Sequence, residues 1–188
     1  PDNIDIISLT NTGLKFDLKG LSAGFGNWND WWGPAIHSSI IMSNNSEGFY
    51  RYFMGTTNYI NLSENLYFDL KYEISKPINN KLGQKFYLSS FYIKLKYNFH
   101  EFGYNRSILS GGTPDLKWSN KDAFWVMANN KYIKYWDVIN DFYAQFNLPK
   151  SKLEFFVDLG IPNRSFGDNN PKTYTDHSIG SIIGFRKK

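Results

Sequence analysis

The stretch FYIKLKYNFHEF, Phe91–Phe102, decides the fold. Phe91, Ile93, Leu95, Tyr97 and Phe99 fall on one side of an extended backbone, with Tyr92, Lys94, Lys96, Asn98 and His100 on the other. Alternation with a period of two is the pattern of a strand with two unlike faces. Read as one strand of about ten residues, it has the length a tilted strand needs to cross a bilayer.

Working outward, LYFDLKYEIS (Leu66–Ser75) repeats the pattern, with Leu66, Phe68, Leu70, Tyr72 and Ile74 opposite Tyr67, Asp69, Lys71, Glu73 and Ser75. Shorter copies follow at Leu14-Phe16-Leu18, Phe142-Ala144-Phe146-Leu148, Leu153-Phe155-Val157-Leu159 and Ile179 through Phe185. After Gly20 the apolar phase switches to Leu21, Ala23 and Phe25, which predicts a β-bulge or bend there. KPINNKLG (76–83), SGGTPD (110–115) and IPNRSFGDNNPK (161–172) carry the Gly, Pro, Asn and Asp of loops. One helical turn is conceivable in KDAFWVMANNKYIK (121–134), but its aromatic and Asn content favours an irregular or strand reading.

The expectation is one all-β unit over residues 1–188, without repeats or an internal linker. Strand spacing of roughly 15 to 25 residues suits an antiparallel transmembrane β-barrel better than an immunoglobulin-like sandwich. In a barrel the polar face lines the lumen and the aromatic-aliphatic face meets lipid. In a soluble β-sandwich the same apolar face turns to a core, and periodicity does not choose between the two.

Composition agrees with half-greasy strands: 19% of the 188 residues are aromatic and 20% charged, and mean hydropathy is −0.46. The net charge of +4 comes from scattered Lys and Arg, the pattern of a solvated surface, and no nucleic-acid partner is expected. Without cysteine there is no disulfide, thiolate metal site or Cys nucleophile. No apolar run reaches the roughly 18 residues of a spanning helix, and PDNIDIISLT lacks the basic and apolar regions of a signal peptide. A start at Pro1 is read as a mature, trimmed or fragmentary chain, and GFRKK as a barrel pattern continuing past Phe185.

No catalytic constellation is legible. Asp17, Asp69, Glu73, Asp141, Glu154 and Asp158 lie singly on polar strand faces. Asp69 with Glu73, or Glu154 with Asp158, would stand about 13 Å apart along a strand, outside the favoured glycosidase separation of about 5–10 Å. His37, His100 and His177 belong to no ligand motif, so neither a metal nor a cofactor is expected, and the chain is read as a non-enzyme. Tryptophan faces beside Asn and Asp suit glycans, because the ring stacks on a sugar and the polar groups take up its hydroxyls. Three clusters qualify: Trp28–Trp32 with Asn27, Asn29 and Asp30; Tyr132, Tyr135 and Trp136 with Asn129 and Asn130; and Trp118 beside Asn120. Barrel girdles and cores use the same rings.

The run GLSAGFGNWNDWWGPAIHSSIIMSNNSEGFYRYFMGTT (20–57) resembles the signature of the capsule assembly Wzi family: a glycine-bearing strand, WWGP, a short apolar run, a Ser-Asn-Asn turn and a further strand. A weaker likeness lies in 157–188, carried by Asp176, His177, Ser178, Gly184 and Phe185. The resemblance implies a bacterial outer-membrane barrel of about eighteen strands that acts as a lectin for exported capsular polysaccharide. This chain would supply fewer than ten of them, roughly half, as an internal portion whose two exposed edges pair with further sequence or another chain. Two positions depart from the family pattern: Asp30 replaces an Arg before WWGP, removing a polar anchor, and Ala35 replaces a Gly, implying a different turn.

The function expected is non-catalytic retention of surface or capsular polysaccharide, with outer-membrane lipid and other outer-membrane proteins as partners. Candidate carbohydrate-binding residues are Trp28, Asp30, Trp31, Trp32, Asn44 and Asn45. Two alternatives are an accessory barrel subunit of an export or nutrient-uptake complex, and a soluble β-sandwich enzyme or carbohydrate-binding module. Trp31 and Trp32 stand between two expected strands, a place that suits either a sugar platform or a corner packed inside the barrel.

Overall fold

The computed structural model describes residues 11–43, 49–75, 78–79, 85–112, 119–127, 137–162 and 179–187. In chain order the elements are β1 (Gly13–Leu18), β2 (Leu21–Gly26), β3 (Arg51–Thr56), β4 (Ile60–Ser63), β5 (Leu66–Ser75), β6 (Ile78–Asn79), β7 (Lys85–Tyr97), β8 (His100–Gly111), α1 (Asn120–Trp125), β9 (Asp137–Leu148), β10 (Leu153–Pro162) and β11 (Gly180–Lys187). They form one antiparallel sheet in the order β1-β2-β3-β5-β7-β8-β9-β10-β11, with β4 and β6 as extensions pairing β5 and β7. With β4 and β6 as continuations of β3 and β5, successive strands are sheet neighbours, an up-and-down meander, and among the described residues the sheet does not close.

Most of the expected strands stand where alternation placed them: Leu66–Ser75 is β5, and the shorter copies fall in β1, β9, β10 and β11. Three expectations need correction. Phe91–Phe102 is not one strand but the tip of a hairpin, because Asn98 takes φ 52° and reverses the chain at Asn98–Phe99. Tyr97 then pairs with His100, so the outward positions switch from odd numbers (Leu95, Tyr97) to even ones (Phe102, Tyr104) across the turn. The phase switch at Gly20 is likewise a full reversal: Lys19 (φ 50°) and Gly20 (φ 86°) make the two-residue turn with both φ positive that matches strand twist.

The third concerns 121–134, where Asn120–Trp125 is helical and 128–134 lies outside the described residues. Ser119 caps that helix: its hydroxyl accepts from Asp122 N at 3.3 Å, and Asp122 Oδ2 accepts from Ser119 N at 2.9 Å. This reciprocal pair satisfies two of the backbone donors a helix start leaves open. Of the three loop stretches, Ile78–Asn79, Ser110–Gly111 and Ile161–Pro162 belong to strands, and apart from Gly112 the rest, at 76–77, 80–83, 113–115 and 163–172, lies outside the described residues.

Register fixes which side chains share a face. On one face lie Arg51, Phe53, Asp69, Lys71, Glu73, Ser90, Tyr92, Asn105, Asp141, Tyr143, Glu154, Phe156 and Asp158, most of them buried. On the other lie Leu14, Phe16, Leu18, Tyr52, Met54, Leu95, Tyr97, Phe102, Phe142, Phe155, Ile183 and Phe185, all exposed, Phe185 at 81%. The polar face is concave. Tyr59, between β3 and β4, reaches Glu101 on β8 at 2.6 Å although β5 and β7 intervene. Flat strands spaced about 4.8 Å apart would hold their anchors roughly 14 Å from each other, so the sheet curls to bring them together.

The two ends differ. Connections at one end are tight: Lys19–Gly20, Glu64–Asn65, Asn98–Phe99 and Pro149–Lys152. Connections at the other end are long, spanning 27–50, 76–84, 112–136 and 163–179. Helix α1 sits at the long-loop end on the outer face. Tyr72 Oη donates to Phe124 O at 2.7 Å and Ser89 Oγ to Ala123 O at 2.8 Å, while Val126 packs with Ile108 and Val138.

Inside the curl, Gly103 makes room for Tyr143, since a Cβ added there would stand 2.0 Å from the ring. Gly103→Ala should displace Tyr143 from Glu101 and cost about 1–3 kcal/mol by overpacking. Gly180→Ala, in open space, should be close to neutral. Denaturant midpoints of the two variants under the same conditions test the contrast.

Candidate functional site: the inner loop and the face it covers

The long connection from β2 to β3 turns inward. Its entry is held by Asn27, whose Oδ1 accepts from Thr12 N at 2.8 Å. Trp28 then lies against the bare backbones of β1 and β2: a Cβ on Gly13 or Gly26 would come within 1.8 or 2.0 Å of the indole. Its ring meets Phe53 edge-on at 5.3 Å. The glycine-rich spelling of β2 thus makes a seat for a large ring on the inner face.

Asp30 follows, directed at two cations on the wall. Arg51 Nη2 stands 2.9 Å from Asp30 Oδ2, Lys71 Nζ binds the same oxygen, and Glu73 Oε2 completes the group at 3.1 Å from Arg51 Nε and 3.4 Å from Lys71 Nζ. Arg51 also donates to Trp28 O, clamping the loop from a second side. Burial works to raise the Asp30 carboxyl, but the adjacent Lys71 and Arg51 charges more than offset it and hold the group below its ordinary 3.8. In this anchor the loop supplies the anion and the strands the cations.

Beyond Asp30 the loop closes on itself. Trp31 Nε1 donates to Ala35 O at 2.6 Å, giving the WWGPA turn a side-chain tie without a glycine at position 35. Trp32 is 1% exposed, with its N bonded to Met42 O at 3.1 Å and its ring edge-on to Tyr92 at 5.1 Å. Gly33, at φ 118°, passes so close to β10 that a Cβ would stand 2.9 Å from Asp158 Oδ2, and Ile40 lies over Gly160. The loop therefore crosses the concave face from β2 to β10.

Under it lie acidic groups that alternation had placed singly. Asp141 and Asp158, on adjacent strands, are both fully buried, and Asn105 Nδ2 donates to Asp141 Oδ2 at 2.6 Å. Glu154 is paired with Arg186 across β10–β11. Toward the tight-turn end the loop gives way to a cavity of about 450 Å³ on the same face, with Tyr59, Tyr67, Tyr92, Asp69 and Lys96 in its wall. Beside it Glu101 accepts from Tyr59 and Tyr143, each at 2.6 Å, and Asp69 from Thr56 Oγ1.

Four of the six candidate residues, Trp28, Asp30, Trp31 and Trp32, are brought together in this inner loop; Asn44 and Asn45 lie outside the described residues. Trp32 and Asp30 are engaged by the protein itself, and Trp31 is half-buried beside a shallow recess with Gly33, Pro34, Gln145 and Arg186. The other aromatic clusters, at 129–136 and at Trp118, also lie outside the described residues, and Asn120 opens α1. Sequence reading missed Arg51, Lys71 and Glu73 as the loop's anchors. Their signal was opposite charges on the polar faces of consecutive strands, which only register turns into a cluster. No family model, curated protein or solved structure matches the chain.

Asp30→Asn removes the anion that balances a nearly buried guanidinium, and should weaken the loop's hold by about 3 kcal/mol, the low end for breaking a buried pair. A carboxyl with a lowered folded value contributes stability that is in place above its unfolded value and is lost as pH falls through the folded one. The loop should therefore loosen below about pH 4 in the natural protein. Hydrogen exchange of 27–43 against that of β7 and β8 reads both effects, and the acid step attributable to Asp30 should vanish in Asp30→Asn.

Proposed function

We propose that the chain forms part of a bacterial outer-membrane β-barrel that retains surface polysaccharide without catalysis. One observation carries the membrane part: the sheet is inside-out for a protein surrounded by water. Its buried face holds Arg51, Asp69, Glu73, Asp141, Glu154 and Asp158, and its exposed face holds a band of Leu, Ile, Phe and Tyr, with Arg106 and Asn140 toward the loop end. Monomeric soluble proteins rarely expose contiguous apolar patches beyond a few hundred Å². A barrel wall in lipid has the reverse requirement, apolar outward and polar inward.

Three features support the reading. Strands β5, β7, β8, β9 and β10 run 10 to 13 residues, enough to cross the hydrocarbon when tilted. Tight turns at one end and long loops at the other match the periplasmic and extracellular sides of such barrels. Aromatic side chains stand at both ends of the outer face: Tyr97 and Phe99 near the turns, and Tyr52, Tyr72, Phe124 and Trp125 toward the loops. Among the described residues β1 and β11 each leave one edge unpaired, so closure needs further strands from a longer polypeptide or another chain.

The polysaccharide part rests on the resemblance of 20–57 to the Wzi family and on a lumen rich in tyrosine, asparagine and charge. Because the loop's tryptophans are largely taken up by packing, sugar contacts fall to Trp31, to residues of the long loops and to the open part of the inner face.

Ile93→Arg places a charge in the apolar band and should destabilise the protein in bilayers by about 2–4 kcal/mol near the midplane. Insertion into phosphatidylcholine vesicles, read by heat-modifiable gel migration, should fall accordingly. A monodisperse protein in plain buffer that ignores vesicles would overturn the membrane reading. In cells, deletion should release capsular polymer into the medium with its synthesis intact; unchanged retention would leave an accessory barrel as the better reading.

A further inference from the structure

Resting on that reading, we infer that the cavity at the tight-turn end of the inner face is a saccharide subsite selective for a carboxylated sugar, with Lys96 as the cation that receives the carboxylate. The argument starts from charge. Arg51 and Lys71 are each matched by carboxylates, and Arg186 by Glu154. Lys96 and its neighbour Lys94 form no ion pair among the described residues, although the acids opposite them in the sheet are Glu101 and Asp69.

Those acids are otherwise engaged. Glu101 carries the Tyr59 and Tyr143 hydroxyls, while Asp69 takes Thr56 Oγ1 and the Tyr92 hydroxyl. The lysines rest instead over aromatic faces: Lys94 Nζ is 4.3 Å from the Tyr92 centroid and Lys96 Nζ 5.9 Å from that of Tyr59. A ring attracts a cation but does not neutralise it. Glu101 and Asp69 keep their charge, but with no carboxylate within ion-pair distance among the described residues the Lys96 ammonium has N–H donors open to an anion from solution.

Shape and surface then narrow what that anion is. A volume of about 450 Å³ falls within the range of small-ligand clefts, about 300–1,000 Å³. Tyr67 and Tyr92 supply ring surface, and Asn58 and Thr57 supply polar groups for hydroxyls. A bare phosphate would use the ammonium and leave the rings idle; a neutral sugar would use the rings and make the weaker, uncharged bond to the ammonium. A uronic-acid residue uses both.

The cavity is built by an irregularity. From Gly55 to Ile60 the β3–β4 strand spends five residues where its partner spends three, Lys71 to Phe68. The two extra residues bow Thr57–Tyr59 out of the ladder, as a β-bulge does, and turn Tyr59 toward the lumen.

The test uses the full chain in detergent, titrated calorimetrically with sodium glucuronate, with a hyaluronan hexasaccharide (alternating glucuronic acid and N-acetylglucosamine) and with maltohexaose. The acidic hexasaccharide should bind, more weakly as salt rises, and maltohexaose at least about tenfold less tightly. Lys96→Gln should lose about tenfold for the acidic ligand, the worth of a charge-assisted hydrogen bond, and Lys96→Arg should restore most of it. Tyr67→Leu should weaken both oligosaccharides, separating stacking from charge. Binding of glucuronate as tight as that of the hexasaccharide would assign the site to a free sugar acid and support the carboxylate contact alone.

Equal affinity for acidic and neutral hexasaccharides, or an unchanged Lys96→Gln, would overturn the inference, as would no binding. Vesicle insertion of the same preparations keeps the two readings apart: inserted protein with no selectivity defeats this subsite only, whereas failure to insert defeats the barrel.

Discussion

Arg51 sets the terms for the inner face. A guanidinium with 2% of its side chain exposed is tolerated only where carboxylates stand against it, because removing an ion from water costs several kcal/mol before any partner is counted. Glu73, on the neighbouring strand, supplies one charge. Lys71 adds another cation, so wall residues alone leave the group positive by one. Asp30 makes up the difference, and it can do so only if the chain between β2 and β3 turns inward. The direction of the WWGP loop is thus an electrostatic requirement of the strands beside it. Trp28 on its glycine seat and Trp32 against Tyr92 then add apolar area to a loop already committed.

The same arrangement explains the outer face. Alternation along a strand means that every residue sent inward sends its neighbours outward. Since the inward set is charged and hydrogen-bonded, the outward set is left with Leu, Phe, Ile and Tyr, and nothing in the described fold covers it apart from α1 at one end. A second sheet would have completed a sandwich with the apolar faces together. Here the curl wraps the polar face, and the apolar face is the one a lipid solvent would take.

Much of this was legible in the residues, because the period of two survives in nearly every strand. The misreadings have physical causes. Asn98–Phe99 turns the chain in two residues and shifts the apolar phase from odd to even positions, but Phe99 in the turn itself prolongs the odd run and hides the shift until Phe102. Asn at 98, a residue tolerant of positive φ, and the switch to Phe102 and Tyr104 mark the reversal. At Gly20 the phase switch is plain in the sequence, but a bulge shifts the phase by one just as a two-residue turn does. The helix at Asn120–Trp125 announced itself through Ser119 and Asp122 at capping-box spacing, a signal outweighed by its aromatic content. The ion cluster was illegible in principle: Asp30, Arg51, Lys71 and Glu73 are joined by sheet register and by a loop's path, neither of which a one-dimensional pattern contains.

That difference also changes where recognition belongs. Tryptophan pairs next to Asn and Asp look like a sugar platform when read in one dimension, but Trp32 is held by Met42 and Tyr92 and Asp30 by two cations. Groups spent on folding have little left for a ligand. The groups still unspent lie at the other end of the same face, where Lys96 has a ring and, among the described residues, no carboxylate within ion-pair distance, and where two surplus residues in β3–β4 open space beside it. Regular strands hold such groups more firmly than loops do, since each is fixed by ladders on both sides. A ligand there would meet an arranged wall instead of ordering a loop, and less of its binding free energy would be lost to conformational entropy.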